Sequence, residues 1–516
     1  MKKLINDLSL VIAADRLLVG DMISSVYYSD VFYEVKDVNV VVMVASAEEV
    51  ELVVKCCIRY KIGILSRGAG LSYTGGVVAE GLVVLDMSLM DKVLSVDVEN
   101  GVVVVEAGCS WKHLLGELSV HGVKTRFWGT LSGIHATVGG SLSQHSLFWG
   151  SARYGCSAES VLGLEVVSGL GEKLNVGCLG NGSAAFRWFG VDSCGLFLGD
   201  CGAFGVKTKV ALRLVSDSLY TDGVSFEFKH RSSFLKALQA VANSGIGTEV
   251  VGFDPLLQQA RLKRESLVSD LKVVSEVAKH EKSILRSLWS LLTFAFYGRR
   301  KFSPDCYQLH VLSEQYSRAS LKEDIKQLHS LAYAHGGNKL PTIIPKALRA
   351  NPFSPLNNML GPQGERWLPI HGIVAHGDAE IVCSELADLF VMHASEMQKY
   401  KVTYSILFSA LGSQGAVIEP VFYWEDELYA IHAKYIDTGY LSRLRKFPAN
   451  PDGKLLVLHL KDKIIAIFTK YHAVHFQIGR SYPYLVKLAP SNAKLVRDIK
   501  NILDPHNVMN PGVLGL

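Results

Sequence analysis

Two glycine-rich segments hold the residues of this chain best suited to chemistry. Residues 64–76 read Ile-Leu-Ser-Arg-Gly-Ala-Gly-Leu-Ser-Tyr-Thr-Gly-Gly. Glycines at 68, 70, 75 and 76 let successive backbone N–H groups approach and point at one anion. Ser72 and Thr74 add hydroxyl donors, and Arg67 either adds charge or braces the loop. A pyrophosphate is the natural ligand. The loop lacks the Gly-Lys-Ser/Thr of a Walker A motif. It is not a dinucleotide fingerprint either, because a strand and not a helix follows. Taken alone it reads first as a structural hairpin. The second segment, 128–145, changes that balance. It reads Trp-Gly-Thr-Leu-Ser-Gly-Ile-His-Ala-Thr-Val-Gly-Gly-Ser-Leu-Ser-Gln-His, again small residues and hydroxyls where bulk would obstruct a flat ligand.

These segments need a scaffold, and the surrounding pattern supplies one. From about Val35 to Val215, valine-rich runs (38–44, 82–85, 102–106, 162–167) alternate with helical segments (47–60, 111–121). Ser46 followed by Glu48 and Glu49 is a helix start, with a capping hydroxyl and then acids at the positive end of the dipole. A short strand at 62–65 runs into the first glycine loop. Beyond about 216 the chain becomes more helical and more charged. Strands are expected at 372–374, 415–422 and 455–460, and helices at 379–400 and 493–503. The reading is an α+β protein of two or more domain-sized units, since 516 residues exceed one ordinary core.

Composition narrows the function classes. Hydrophobic residues make up 49% and charged residues 20%, a globular balance. A net charge of +4 gives no argument for nucleic acid. The nine cysteines show no CxxC and no zinc-finger spacing, so they read as free thiols in a reducing compartment, and no metal is assigned. The N-terminal apolar stretch is broken by Asn6, Asp7, Asp15 and Arg16. No run of about 18 apolar residues occurs, which predicts a cytoplasmic protein or one attached to a membrane only at its surface.

Six motifs in order then resemble the FAD-binding domain of the vanillyl-alcohol oxidase and p-cresol methylhydroxylase (PCMH-type) flavoproteins, whose relatives include D-lactate dehydrogenases and glycolate oxidase subunits. They are RGAGLSYTGG at 67–76, GLVVLDMSLMDKVLSVD at 81–97, VVVVEAGCSWKHLLGEL at 102–118, ATVGGSLSQHS at 136–146, SARYGCSAESVLGLEVVSGLGE at 151–172 and GDCGAFGVKTKVALRL at 199–214. The terminal LDPHNVMNPGVLGL at 503–516 is similar to the family's closing signature.

The resemblance implies FAD. It assigns Arg67, Gly68, Ala69, Gly70, Leu71 and Ser72 to the pyrophosphate. It places Gly129, Thr130, Gly133, Ala136, Thr137, Gly139 and Gly140 along the cofactor, and Ser143, Gln144 and His145 near the ring. Tyr154, Gly155 and Val206 complete the set, and Asn510 brings the terminus back to it. It implies an FAD-binding domain of two subdomains over residues 1–217, a cap over 218–480, and a returning segment over 481–516. Relatives that attach FAD through a first-loop histidine have it where this chain has Leu71, and the second segment holds no cysteine. FAD is therefore expected to be held non-covalently.

Oxidation by such a cofactor needs a base beside an apolar pocket. Two patches offer one. In 367–378, His371 and His376 sit five residues apart on a probable strand, so at most one faces the site. A strand histidine satisfied by a neighbour is the plain alternative. In 471–484, His475, Gln477, Arg480 and Tyr482 lie where the family's active-site stretch falls. The metal-binding and Gly-Glu-His-Gly stretches of the D-lactate and glycolate relatives are not intact in HGDAE (376–380) or HFQIG (475–479), which weighs toward the alcohol- or phenol-oxidising branch. Residues 284–302, with aromatics beside Arg299, Arg300 and Lys301, read as a membrane-facing helix or a cap helix. The expected function is oxidation of a small hydroxylated substrate, with electrons passing to a quinone, a cytochrome-type carrier or oxygen. A D-2-hydroxy-acid dehydrogenase, a sugar-lipid oxidase and a non-catalytic flavin-binding partner are the rivals. Self-association is left open.

Overall fold

Ser46 starts its helix as the capping pattern predicts: its hydroxyl accepts the Glu49 N–H, and the helix Ala47–Tyr60 ends at Lys61 in the left-handed conformation. In the computed structural model, which describes residues 1–264, 303 and 305–516, this helix lays Val50, Val53, Val54 and Cys57 on the first of three sheets. That sheet runs Leu17–Val19, Val40–Met43, Val83–Asp86, Ile64–Arg67. Its last three strands are parallel, and every residue of Val83–Asp86 is buried. A strand covered on both faces reads as a continuous apolar run, which is how 82–85 stood in the sequence.

The second sheet is antiparallel. Its order is Val93–Asp97, Val102–Glu106, Gly205–Ser216, Val161–Ser168, Lys173–Gly177, with Val123–Thr125 also paired to Gly205–Ser216. The chain then crosses to a third, eight-stranded antiparallel sheet that begins at Tyr220–Phe228 and is centred on Tyr307–Gln315, Glu249–Phe253, Val402–Leu411 and Gly415–Trp424. Helices Arg231–Ser244, Ala379–Met392 and Pro451–Lys470 contribute to the core cluster of this third sheet. The architecture is α+β, with two sheets carrying the glycine loops and a third forming a cap. The terminal segment returns to the first sheet, where Met509 bridges Ile64 and the Asn510 N–H donates to the Ile64 carbonyl at 2.8 Å.

Three expectations are corrected. Residues 455–460 are not a strand but part of the helix Pro451–Lys470. Asn450 caps it, Pro451 opens it, and the buried set Leu456, Val457, Leu460, Ile464, Ile465 and Phe468 has helical spacing well beyond the six-residue apolar run. The helix at 379–400 is two helices, broken at His393. His371 precedes the strand Gly372–Ala375, and His376 begins the turn after it, so strand alternation does not relate the two. All nine cysteines are free. Residues 284–302 lie outside the described residues.

Candidate active site between the glycine loops and the cap

The strand Ile64–Arg67 delivers the chain into the first glycine loop, and two close approaches explain its composition. A Cβ on Gly68 would sit 2.4 Å from Thr137 Oγ1, and one on Gly70, where φ is +76°, would sit 2.2 Å from Arg67 Nη2. Arg67 is 2% exposed and spends its guanidinium on the carbonyls of Val26 (2.9 Å), Ser29 (2.8 Å) and Val77 (3.1 Å). Of its two readings, bracing is the one the structure shows. Among the described residues, the backbone N–H groups of residues 68–72 donate to no acceptor. Converging free donors in a loop where a β-carbon would collide make a cradle for an anionic group.

The second segment closes on the first. Thr137 caps the short helix Val138–Ser143, accepting from the Gly140 N–H at 3.2 Å. A Cβ on Gly139 would meet Ala107 Cβ at 2.7 Å, so this helix can lie against the second sheet only with glycine there. The terminus locks both segments: Asn510 Nδ2 donates to the carbonyls of Gly76 (2.9 Å) and Cys201 (2.8 Å), while its Oδ1 accepts from Arg480 Nη2 at 2.9 Å.

Between these loops and the cap lies a cleft of about 2000 Å³, its open mouth included. Of the cofactor residues expected from sequence, Arg67, Gly68, Ala69, Gly70, Leu71, Ser72, Thr130, Ala136, Thr137, Gly139, Gly140, Ser143 and Gln144 line it. Gly129, Gly133, His145, Tyr154, Gly155, Val206 and Asn510 do not line it. Gly129 and Gly133 are pressed against Phe353, and Val206 packs into the core of the first sheet. The lining residues fit FAD: free amides for a pyrophosphate, and a floor of small residues for a flat ring system.

Of the catalytic candidates, Gln477 lines the cleft. Its Nε2 donates to the Tyr73 hydroxyl at 3.0 Å, and its N–H donates to the Gln144 carbonyl at 2.7 Å. Arg480 donates to the carbonyls of Gly75, Val78 and Pro511 and to Asn510, so it fastens loop to terminus. Tyr482 faces the wall: its hydroxyl oxygen accepts the His371 N–H at 3.1 Å. His371 is fully buried, stacked on Phe476 with ring centroids 3.7 Å apart, and among the described residues neither ring nitrogen has a hydrogen-bond partner. Burial holds its pKa well below the ordinary value, so the ring is neutral. His475 stacks on Tyr482 and donates through Nδ1 to the His371 carbonyl, 2.8 Å away; burial lowers its pKa to about 4. His371, His475 and Tyr482 thus form an aromatic layer one residue behind the cleft.

The cap contributes residues that no sequence motif marked. Glu419, in the strand Gly415–Trp424, lines the cleft, and burial alone raises its carboxyl to about 7. Glu249 also lines it, accepting the Gly150 N–H at 2.7 Å, and burial pushes its pKa well up. An acid within a strand of apolar alternation was the available signal for Glu419, but the strand's partner face is not legible without the fold. Cys201 lines the cleft as well, its thiol pushed up to about 12 by burial. Four non-glycine residues around the cleft hold positive φ: His145 (49°), Phe148 (155°), Cys201 (50°) and Gln477 (50°). Each costs on the order of 1–3 kcal/mol, a concentration of strain typical of sites that position a ligand. Among the described residues no group of three or more His, Cys, Asp or Glu could hold a metal.

Fold and cleft together define an FAD-binding domain roofed by a cap, and residues 38–177 match the family described as FAD binding domain. That match covers residues 67–172, in which five of the six sequence motifs fall. The chain is 34% identical over 177 residues to the mitochondrial cytochrome-dependent D-lactate dehydrogenase of Arabidopsis thaliana, covering 34% of this chain and 30% of that protein. It is 30% identical over 207 residues to the D-lactate dehydrogenase of Anaerostipes hadrus, covering 40% and 42%. The matched stretch spans less than half the length of these relatives. Over 100% of its length the chain shares its fold with p-cresol methylhydroxylase with substrate bound, at a TM-score of 0.73, 18% identity and 96% of that chain.

Proposed function

We propose that this protein is an FAD-dependent oxidoreductase that oxidises a small hydroxylated substrate. The observation that carries the reading is the cleft itself, with loop amides and small residues on one side and a carboxyl raised by burial, Glu419, on the other. When bound, FAD supplies the acceptor for a hydride leaving the hydroxyl-bearing carbon. The chain's part is to receive the hydroxyl proton, which falls to Glu419. Tyr73 and Gln477 orient the substrate, while Trp367 and Phe476 exclude water. His371, His475, Tyr482 and Arg480 act as positioning residues, and Asn510 keeps the two glycine segments in register.

FAD is held non-covalently in this reading, since Leu71 occupies the loop position a histidine would need. The purified protein should be yellow, and acid precipitation should release the colour from the pellet. Bleaching by one member of a panel of aromatic alcohols, sugars and hydroxy acids names the substrate class. A colourless protein that FAD does not reconstitute refutes the reading. Reduced cofactor passes its electrons to a quinone, a cytochrome-type carrier or oxygen.

For location we favour a cytoplasmic protein that touches a membrane surface. No helix among the described residues is long and apolar enough to cross one. Phe186, Trp188, Phe189 and Val191 are 66%, 68%, 88% and 93% exposed on one loop, which supports surface contact. Co-sedimentation with anionic vesicles, lost on Trp188→Ser with Phe189→Ser, tests this; equal sedimentation of the variant rejects it.

A further inference from the structure

The turn Asp30–Tyr33 lies between the first glycine loop and the cap and is held from both sides. On the loop side, the Val31 N–H donates to the Ser72 carbonyl at 3.0 Å, and the Asp30 carboxyl accepts the Gly75 N–H at 2.9 Å. Arg67 reaches the residue before the turn, donating to the Ser29 carbonyl at 2.8 Å. Asp30 also accepts the Phe32 and Tyr33 N–H groups at 2.8 and 2.6 Å, so its own side chain stiffens the turn. On the cap side, Arg366 Nη2 donates to the carbonyls of Val31 (3.1 Å) and Phe32 (3.4 Å). Lys461, in the helix Pro451–Lys470, donates to the Tyr33 hydroxyl at 2.6 Å.

Arg366 opens the cap strand Arg366–Pro369 and is fully buried. Its Nη1 donates to the Glu427 carbonyl at 3.1 Å, its guanidinium lies 3.9 Å from the Tyr429 ring centroid, and Asp426 stands 4.0 Å away. A buried guanidinium must place its donors on acceptors, and bonds from a charged donor are roughly twice as strong as neutral ones. Here such bonds fall on a turn that is itself fastened to residues 72 and 75 of the glycine loop. Val31 alone joins the two sides, with its N–H on the loop and its carbonyl on the cap. We infer that Arg366 and Lys461 are positioning residues for the cofactor: acting through Asp30–Tyr33, they hold residues 68–76 in the shape that receives the pyrophosphate, so cofactor affinity is set in part from the cap. This rests on the FAD reading and deepens it. Such coupling is reciprocal, so the stabilisation that the cap gives to cofactor binding is also what the bound cofactor gives to the cap.

The test uses the full-length protein, Arg366→Met, which keeps an apolar stem and removes the donors, and the conservative Arg366→Lys. FAD affinity, read by quenching of flavin fluorescence, should weaken roughly ten- to a hundredfold in Arg366→Met, the usual range for coupled sites. Arg366→Lys should recover part of the loss. Hydrogen exchange gives a readout that needs no turnover: amides of residues 68–76 should exchange faster in Arg366→Met, while the buried strand Val161–Ser168 of the second sheet exchanges as in wild type. In wild type, FAD should also slow exchange at residues 30–33 and 424–429, and in Arg366→Met that remote protection should be lost. Should Arg366→Met not fold, Tyr33→Phe decides: it removes the hydroxyl that Lys461 holds, and FAD should bind roughly threefold more weakly. Unchanged affinity with unchanged exchange at 68–76 overturns the inference. So does exchange at Val161–Ser168 that rises as much as at 68–76, because the loss is then global. A protein that binds no FAD refutes the cofactor reading, and the exchange difference at 68–76 still decides whether the cap holds the loop.

Discussion

Replacing Glu419 with glutamine separates activity from stability in one experiment. The carboxyl stands at about 7 against the ordinary 4.5 of a glutamate, and burial is the cause. Tyr73 and Tyr482 face it, and burial raises both hydroxyls above their ordinary value, so neither ionises near neutrality. As a base, Glu419 must be ionised. It is roughly one-tenth ionised at pH 6 and nine-tenths at pH 8, so kcat/KM should climb about tenfold across that interval. The stability effect runs the other way. Between pH 4.5 and 7 the folded state holds a proton the unfolded state has lost, so stability falls as pH rises through this window and is flat above it. The ceiling on that loss is roughly 3 kcal/mol, two and a half pKa units at about 1.4 kcal/mol each. Part of the side chain faces the cleft, which reduces it. Glu419→Gln should therefore lower kcat/KM by roughly 10²–10⁴-fold and flatten the pH profile. Its thermal midpoint should exceed wild type at pH 8, with the gap closing at pH 4.5. The assays are stopped-flow flavin reduction and thermal unfolding, each at both pH extremes. A variant with wild-type kcat/KM and an unchanged pH profile would show that Glu419 is not the base.

Three further outcomes follow from the same geometry. Gly70→Ala forces a β-carbon to within 2.2 Å of Arg67 Nη2 at a φ of +76°, so FAD affinity should drop by roughly tenfold or more, read by flavin retention on gel filtration. Tyr73→Phe removes the acceptor for Gln477 Nε2, 3.0 Å away, and should raise KM and cost about 1–3 kcal/mol; an unchanged KM would remove Tyr73 and Gln477 from substrate orientation. Asn510→Leu breaks three side-chain hydrogen bonds joining the terminus to Gly76, Cys201 and Arg480, costing about 3 kcal/mol. Its tail should become open to carboxypeptidase, and a tail as resistant as wild type would show that other contacts hold it.

What the sequence disclosed depended on how local the cause was. Gly68, Gly70, Gly139 and Thr137 are fixed by contacts within two loops, and a glycine that admits no β-carbon leaves a visible mark in any sequence. The Ser46 cap and the buried valine strand 83–86 are equally local. Glu419 is not. In sequence it is one acid in Gly415–Trp424, and what makes it chemically unusual is contributed by Tyr73, Tyr482 and the apolar wall, which come from segments far away along the chain. Long-range burial likewise turned two chemically promising histidines into a packed layer: His371 reads as a base until Phe476 and Tyr482 are seen to enclose it. The misassigned strand at 455–460 has the same origin in reverse. Six apolar-rich residues fit either period, and only the continuation through Ile464, Ile465 and Phe468, together with the Asn450 cap, decides for the helix. Cofactor specificity in this chain is thus written in short glycine signatures. Substrate specificity is written in which distant side chains share a wall, as Tyr73, Trp367 and Glu419 do in this cleft.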